Sequence, residues 1–152
     1  MAAVEKVGSP EKILREHPFL QDLARDYLQF MAECAVEKYF DAGEYILREG
    51  EAANHLYLIG QGKVALGTFI AGRGFTTIDT LDDGKVLGWS WLIPPYHWHF
   101  DALTIIPTLV VTLDGQRLRD RCEADHDFGY ELLKRLALII GQRLRATRLR
   151  LT

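Results

Sequence analysis

The chain has 152 residues, of which 48% are hydrophobic and 26% are charged, and this suits one globular domain with a real core. Its formal charge of -3 provides no overall basic excess, so composition does not indicate a nucleic-acid-binding domain. No apolar run is long enough for a membrane helix and the first residues do not resemble a signal peptide, so we expect a cytoplasmic protein.

Two helices are predicted near the N-terminus. The first begins at about Pro10, because Ser9 is a suitable N-cap and proline is favoured in the first turn. It should stop near His17, because Pro18 disfavours the helical conformation in the residue before it. The second helix is predicted from about Gln21, because apolar residues then recur at steps of three and four. This stripe comprises Leu23, Ala24, Tyr27, Leu28, Phe30, Met31, Cys34 and Ala35.

The stretch from Phe40 to Gly67 contains three short apolar runs separated by glycines. The runs are residues 45–47, 56–59 and 64–66, and the breaks are Gly43, Gly50, Gly60, Gly62 and Gly67. Runs this short with turn residues between them are typical of strands joined as hairpins. They predict an antiparallel jelly roll or barrel, because a parallel sheet would need helical crossovers between its strands.

Short motifs within this stretch resemble the opening half of a known domain. They are AGE at 42–44, REGEA at 48–52, LYLI at 56–59 and GKV at 62–64. Their order and spacing resemble a cyclic nucleotide-binding domain of the catabolite activator (Crp/Fnr) type. The helical approach at 17–35 resembles the N-terminal bundle of that family, so the resemblance covers roughly residues 14–150.

The resemblance implies an α+β fold, in which an antiparallel β jelly roll is flanked by an N-terminal helical bundle and a long C-terminal helix. We expect a single cyclic nucleotide-binding-like domain over residues 1–152. Its parts should be N-terminal helices at about 10–37, the jelly roll at 38–113 and C-terminal helices at 114–152.

Further strands are predicted after the third run. Residues 68–70 and 75–81 form a hairpin pattern across the turn-forming residues 71–74. From Asp101 to Leu113 the chain alternates and then runs apolar, which indicates the closing strands. Pro107 interrupts this region and is therefore expected at a turn between two strands.

The stretch from Leu87 to Phe100, LGWSWLIPPYHWHF, lies where the resemblance implies a phosphate-binding cassette. In that family the cassette opens with Gly-Glu, whose carboxylate binds the ribose, and closes with an arginine and a small hydroxyl residue at the cyclic phosphate. Here Gly88 is kept, but Trp89 stands at the acid position. Counted without gaps, Trp98 and His99 stand at the arginine and hydroxyl positions.

A one-residue slip would place His97, or Tyr96 with His97, at the closing positions instead. In every register the carboxylate and the guanidinium are missing, which costs roughly 3–6 kcal/mol of binding free energy, or about two to four decades of affinity. The implied ligand, a cyclic nucleotide, is therefore expected to bind weakly or not at all. The candidate pocket comprises Gly88, Trp89, Ser90, Tyr96, His97, Trp98 and His99.

The same stretch is rich in aromatic residues: Trp89, Trp91, Tyr96, Trp98 and Phe100. Three interpretations follow. The rings fill the vacated pocket from within, as large aromatic side chains in cores do. Alternatively they line a pocket for a different, flatter ligand that stacks on indoles. In the third interpretation they form an exposed patch for docking another protein.

His97 and His99 would share one face of a strand and could both point at one metal ion, with Asp101 continuing that face. No further ligand stands at a recognisable spacing, so no metal site is predicted and hydrogen-bonded surface histidines are the simpler interpretation. Cys34 and Cys122 lie far apart in the chain and are interpreted as ordinary thiols.

Asp114 is predicted to cap a short helix that ends at about Glu123, and a long helix should follow from about Asp127. The long helix has two apolar rows. One of them comprises Leu133, Leu136, Ile140, Leu144, Thr147 and Leu151, together with Gly129. In the resembled family this helix pairs with its copy, so we predict a homodimer seam along that row. The alternative is a helix packed wholly on its own domain.

Four arginines, Arg143, Arg145, Arg148 and Arg150, occupy the last turns and are expected to be solvated near the negative end of the helix dipole. A second interpretation is that these arginines contact DNA. No helix-turn-helix region follows the long helix, and no motif of a catalytic site is present. We therefore expect a non-catalytic regulatory or sensor domain with an altered ligand. The alternative is a ligand-free structural or interaction module that acts through the helix and the aromatic patch.

Overall fold

A computed structural model describes residues 10–151, and Ser9, the expected N-cap, lies outside the described residues. Helix α1 spans Pro10–Glu16, a single 3-10 turn covers Pro18–Leu20, and helix α2 spans Arg25–Glu33. The first helix therefore ends where proline was expected to end it.

The second helix is shorter than the sequence predicted. It begins at Arg25 rather than near Gln21, because Asp22 adopts a left-handed φ of 64°, which interrupts a helix. It stops before Ala35, which pairs with Leu113 as the first residue of a strand. The apolar stripe thus continues past the helix into the sheet.

The strands form two antiparallel sheets. The first sheet has the order β1-β7-β3 and the second has the order β2-β6-β4-β5. The strands are β1 (Ala35–Phe40), β2 (Tyr45–Leu47), β3 (His55–Gln61), β4 (Lys63–Ile70), β5 (Gly74–Asp82), β6 (Asp101–Thr104) and β7 (Thr108–Asp114). Together with the flanking helices, this arrangement confirms the predicted α+β jelly roll.

Strand β4 is longer than expected, because Gly67 is not a break. The predicted runs 64–66 and 68–70 form one strand that pairs with β5 along its whole length, with an irregularity at this glycine. A Cβ atom at Gly67 would collide with the Thr76 carbonyl, so glycine is needed here for the close approach of two strands. The turn at Pro107 between β6 and β7 is confirmed.

The first C-terminal helix begins at the predicted cap, Asp114, and the second begins at His126, one residue before the predicted start. Helix α3 spans Gly115–Ala124, and the Asp114 carboxylate accepts a hydrogen bond from the Arg117 amide at 3.1 Å. Helix α4 spans His126–Leu149 and is capped by Asp125. No described helix is long and apolar enough to cross a membrane.

The core lies between the two sheets and extends under α4. The sheets contribute Leu56, Leu58, Val64, Leu66, Val110, Val111 and Leu113, and α4 contributes Phe128, Leu132 and Leu136, all without exposed surface. Burial of this apolar area is the main stabilising contribution to the domain. This packing holds α4 against strand β5 of the second sheet, the strand that precedes the cassette segment in the chain.

Candidate functional site

The cassette segment, residues 87–100, contains no regular helix and is fixed to the jelly roll near both ends. At its start, the Leu87 amide donates to the Tyr57 carbonyl at 3.1 Å. At its end, the Trp98 amide donates to the Glu51 carbonyl at 2.9 Å. The β2–β3 loop and strand β3 therefore determine the path of the segment.

The Trp98 side chain lies inside the domain, with 6% of its surface exposed. Its ring centroid is 5.9 Å from that of Tyr57, and a Cβ atom on Gly88 would lie only 3.0 Å from Trp98 Cζ3. Burial raises the pKa of Tyr57, and the nearby Glu51 carboxylate adds a smaller shift in the same direction. The indole thus occupies the space between the start of the cassette segment and strand β3.

Trp89, at the position of the family's acid, is half-buried and contacts two other side chains. Its ring packs edge-on against Phe100, with the centroids 6.2 Å apart. The Arg143 guanidinium lies 5.5 Å from the centre of the Trp89 ring, a cation–π distance. An arginine of helix α4 therefore meets the cassette segment at this tryptophan.

Arg143 attaches α4 to the first residues of this region. Its side chain donates hydrogen bonds to the carbonyls of Val86, at 3.2 Å, and Leu87, at 3.1 Å. Its Nε lies 3.7 Å from the Asp79 carboxylate. Burial lowers the pKa of Arg143, and Asp79 opposes that shift. Charge and hydrogen bonds together hold the helix at the base of the cassette segment.

The expectation that Arg143 is solvated is wrong, since 3% of its surface is exposed. Arg145, Arg148 and Arg150 are exposed as expected. The sequence does contain a signal for the buried arginine, which the prediction overlooked. Arg143 continues the core-facing row of Phe128, Leu132 and Ile139 at helical steps, whereas Arg145 and Arg148 do not.

The remaining cassette aromatics are held by helix α3. Trp91 has no exposed surface, and its carbonyl accepts a hydrogen bond from Arg119 at 2.5 Å. The same guanidinium lies 4.5 Å from the centre of the Tyr96 ring. Ser90, which stands between Trp89 and Trp91 in the chain, is also buried. Arg119 was not predicted as a site residue, and nothing in its local sequence indicates this contact.

The two cassette histidines are exposed, and they do not form a metal site with Asp101. His97 Nδ1 lies 2.8 Å from the Pro95 carbonyl oxygen, and no hydrogen bond joins His97 to His99 among the described residues. Asp101 is buried, accepts a hydrogen bond from the Glu49 amide at 2.7 Å and lies 3.6 Å from Arg48. The described residues contain no group of three or more His, Cys, Asp or Glu side chains suited to a metal ion.

The outer face of α4 carries exposed apolar residues at heptad spacing. Leu133, Leu144 and Leu151 are 48%, 69% and 83% exposed, and Tyr130 is 63% exposed. One row of this face is Tyr130, Ala137 and Leu144, continued by Leu151 two residues beyond the end of the helix. The other row is Leu133 with the half-buried Ile140 and Thr147. We call these seven residues the α4 outer face. Such a repeat is typical of a helix that pairs with another helix.

Leu136 does not belong to this face, although the sequence placed it in the dimer seam. Its side chain has no exposed surface and lies in the domain core with Leu132 and Phe128. The placement was wrong because both sides of α4 are apolar, and a step of three or four residues connects one side with the other.

Comparisons with known proteins agree with this geometry. Residues 37–125 match the family model of the cyclic nucleotide-binding domain. Human cGMP-dependent protein kinase 2 is 33% identical over 81 residues, which are 53% of this chain and 11% of that protein. The matched region thus spans about a tenth of the length of this curated relative.

Two solved structures extend the similarity to the whole described fold. One comes from Geobacter metallireducens GS-15 and is provisionally named a cyclic nucleotide-binding protein. It has a TM-score of 0.80 and 32% identity, over 91% of this chain and 99% of that chain. The Thermus thermophilus catabolite activator protein has a TM-score of 0.67 and 23% identity, over 88% of this chain and 61% of that chain. At that identity the second comparison concerns the fold alone.

Proposed function

This chain belongs to the cyclic nucleotide-binding domain family, and on that premise we propose that it is a non-catalytic regulatory domain whose cassette is filled by its own aromatic side chains. Cyclic nucleotides are then expected to bind weakly or not at all. The cytoplasmic location expected from the sequence remains part of this proposal.

The position of Trp98 is the observation that carries the proposal. Its buried indole packs against Gly88 and Tyr57, where the family's cassette would turn charged and polar groups towards a nucleotide. A second ring could enter this space only if Trp98 left it. Displacing a buried tryptophan would remove favourable contacts that the nucleotide must first replace.

The charge of the cassette supports the same conclusion. Trp89 replaces the acid, and the nearby Arg143 already has Asp79 and two carbonyl groups as partners. The arginine is therefore not available as a substitute for the missing cassette arginine. Without two charge-assisted contacts, affinity should fall by about two to four decades relative to an intact cassette.

Titration calorimetry with cyclic AMP and cyclic GMP tests this proposal. We expect no saturable heat at nucleotide concentrations up to about 100 μM, given the lost contacts. A dissociation constant of a few micromolar or tighter would contradict the proposal. Thermal unfolding against nucleotides, haem and aromatic metabolites would then show whether another ring binds, because a ligand of the folded state raises the midpoint.

The α4 outer face supports a second part of the proposal, a homodimer. Tyr130, Leu133 and Leu144 leave apolar surface uncovered along one side of the helix, and a second copy of α4 would cover it. The same surface favours the alternative role, a ligand-free interaction module, over DNA contact. A dimer that forms without any ligand, and that no member of the panel changes, would support that alternative.

A further inference from the structure

A cleft of about 430 Å³ lies between strand β5, the turn after it and helix α4. None of its lining residues belongs to the cassette segment. Its volume falls in the range of known small-molecule sites, which is about 300–1,000 Å³. Pro18 and Phe19 form part of its wall, and the Arg143–Asp79 pair forms another part.

The lining of this cleft has more positive than negative charge. Its charged side chains are Lys85, Arg135, Arg143 and Asp79. Arg143 pairs with Asp79, whereas Arg135 shares the Glu131 carboxylate with Lys134. Lys85 is exposed and carries the unbalanced charge, so a carboxylate would match the cleft.

Arg135 has a fixed position at the wall of the cleft. Its Nη1 donates to the carbonyls of Phe19 and Gln21, each at 2.8 Å. Because these hydrogen bonds hold the guanidinium in place, an anion in the cleft would meet a positive charge that is already ordered.

Part of the remaining wall is apolar, and one of its side chains is largely exposed. Leu138 is 67% exposed, Ile139 is half-buried and Phe19 is 9% exposed. Leu138 is not one of the seven residues of the α4 outer face, so pairing of two α4 helices does not account for its exposure. An apolar body lying on Leu138 would remove this surface from water.

We propose that this cleft is a binding site for a small amphiphilic monocarboxylate. The carboxylate lies at Lys85 with Arg135 and Gln142 beside it, and the apolar body packs against Leu138 and Phe19. The site is separate from the cassette segment, so it does not depend on whether the cassette binds a nucleotide. Because Arg143 and Asp79 line the same cleft, an occupant would also contact the pair that attaches α4 to the cassette segment.

Three matched probes test the two halves of this chemistry. 4-Phenylbutyrate carries both the charge and the ring, 4-phenylbutanol only the ring, and butyrate only the charge. In calorimetry and thermal unfolding of the whole chain, phenylbutyrate should bind with a dissociation constant of about 1 mM or tighter, as ligands of this size do. The other two should bind at least about tenfold more weakly.

Two substitutions should weaken phenylbutyrate binding. Lys85→Ala should raise the dissociation constant about tenfold, because it removes the unbalanced charge. Leu138→Ser should raise it several-fold, because it removes part of the apolar wall. Lys38→Ala on β1 and Phe69→Ser at the tip of the β4–β5 hairpin are the matched controls and should change nothing.

The proposal is overturned if phenylbutyrate gives no saturable binding up to about 10 mM, where a ligand of that affinity would be near saturation. Binding that survives Lys85→Ala and Leu138→Ser unchanged would overturn it too, as would equal binding of butyrate. Cyclic AMP binding that Lys85→Ala leaves unchanged would belong to the cassette segment, and it would count only against the function proposed above.

Discussion

The strand scaffold at residues 40–67 and the cassette segment at residues 87–100 differ in what they retain of the family pattern. The scaffold keeps the glycines that its turns need, for example Gly43 and Gly50, whose φ angles are 81° and 88°. The cassette segment keeps Gly88, where the absence of a Cβ atom leaves room for the Trp98 ring. Backbone requirements thus preserve the scaffold pattern, whereas the side chains of the cassette segment differ from the family pattern.

The sequence of such a domain meets two separate requirements, the backbone conformation of its turns and the contacts to its ligand. A turn with positive φ accepts few residues whatever the domain binds, so the scaffold pattern persists when function changes. A charged residue that contacts a ligand is not required by the fold, and an unfilled pocket costs packing energy. Under the proposed function, Trp98 fills such a pocket. The predictions that follow test whether the cassette segment now contributes stability as the scaffold does.

Replacing Trp98 with alanine has the largest expected effect. The change removes a buried ring from beside Tyr57 and Gly88, so the free energy of unfolding should fall by about 3–5 kcal/mol in chemical denaturation. Phe69→Ala, at a 70% exposed ring, is the control and should cost less than about 0.5 kcal/mol. Equal effects in both variants would mean that the cassette segment does not contribute as a core element.

Replacing Arg143 with alanine should have the next largest effect. It leaves the carbonyls of Val86 and Leu87 without their donors and removes the partner of Asp79, so we expect a loss of about 2–3 kcal/mol. Arg143→Lys should lie between the two, because an ammonium lacks the planar fork that reaches two carbonyls. Arg145→Ala, at an exposed arginine of the same helix end, is the matched control and should be nearly neutral.

The α4 outer face should respond in association rather than in folding. Leu144→Glu places a charge on a side chain that is 69% exposed in one chain, so folding should change little. In a paired helix the same charge would be buried, so the dimer dissociation constant in analytical ultracentrifugation should rise at least tenfold. Leu138→Glu, 67% exposed but outside this face, is the control. A monomeric unmodified protein at tens of micromolar would contradict the dimer.

The elements of the fold could be predicted from the sequence because their signals are local. Glycine turns, the cap Asp114 and the turn at Pro107 each depend on a few neighbouring residues. The break predicted at Gly67 was wrong, because glycine is needed there for the close approach of strand β5, and the residues around Gly67 do not show that contact. Local chemistry therefore predicted the elements better than their exact lengths.

The candidate site was only partly predictable. The sequence identified the loss of the acid and the gain of tryptophans, but it could not choose among the interpretations of the rings. The prediction also missed Arg143 and Arg119, whose partners are backbone carbonyls far away in the chain. Leu136 was assigned to the wrong side of α4, because periodicity identifies an apolar side but not what covers it. The partners of these side chains depend on tertiary packing and leave no local pattern.

The smallest expected effect concerns pH, and it contrasts the histidine before the N-terminal 3-10 turn with a histidine of the cassette segment. His17 is buried, its Nε2 lies 3.1 Å from the Ile59 carbonyl, and its Nδ1 accepts a hydrogen bond from the Phe19 amide. Burial lowers the pKa of His17 below its ordinary value, and backbone hydrogen bonds oppose that shift. As the pH falls below about 6.5, the unfolded chain takes up the proton first, so the stability that this neutral histidine contributes is lost. The free energy of unfolding should therefore decline between about pH 7 and 5, with a slope of at most about 1.4 kcal/mol per pH unit from this residue.

In His17→Gln the profile of unfolding free energy against pH should be flatter, whatever the overall stability of that variant. His97→Gln, at an exposed histidine of the cassette segment, is the matched control, and an equal flattening there would show that the pH dependence does not come from His17.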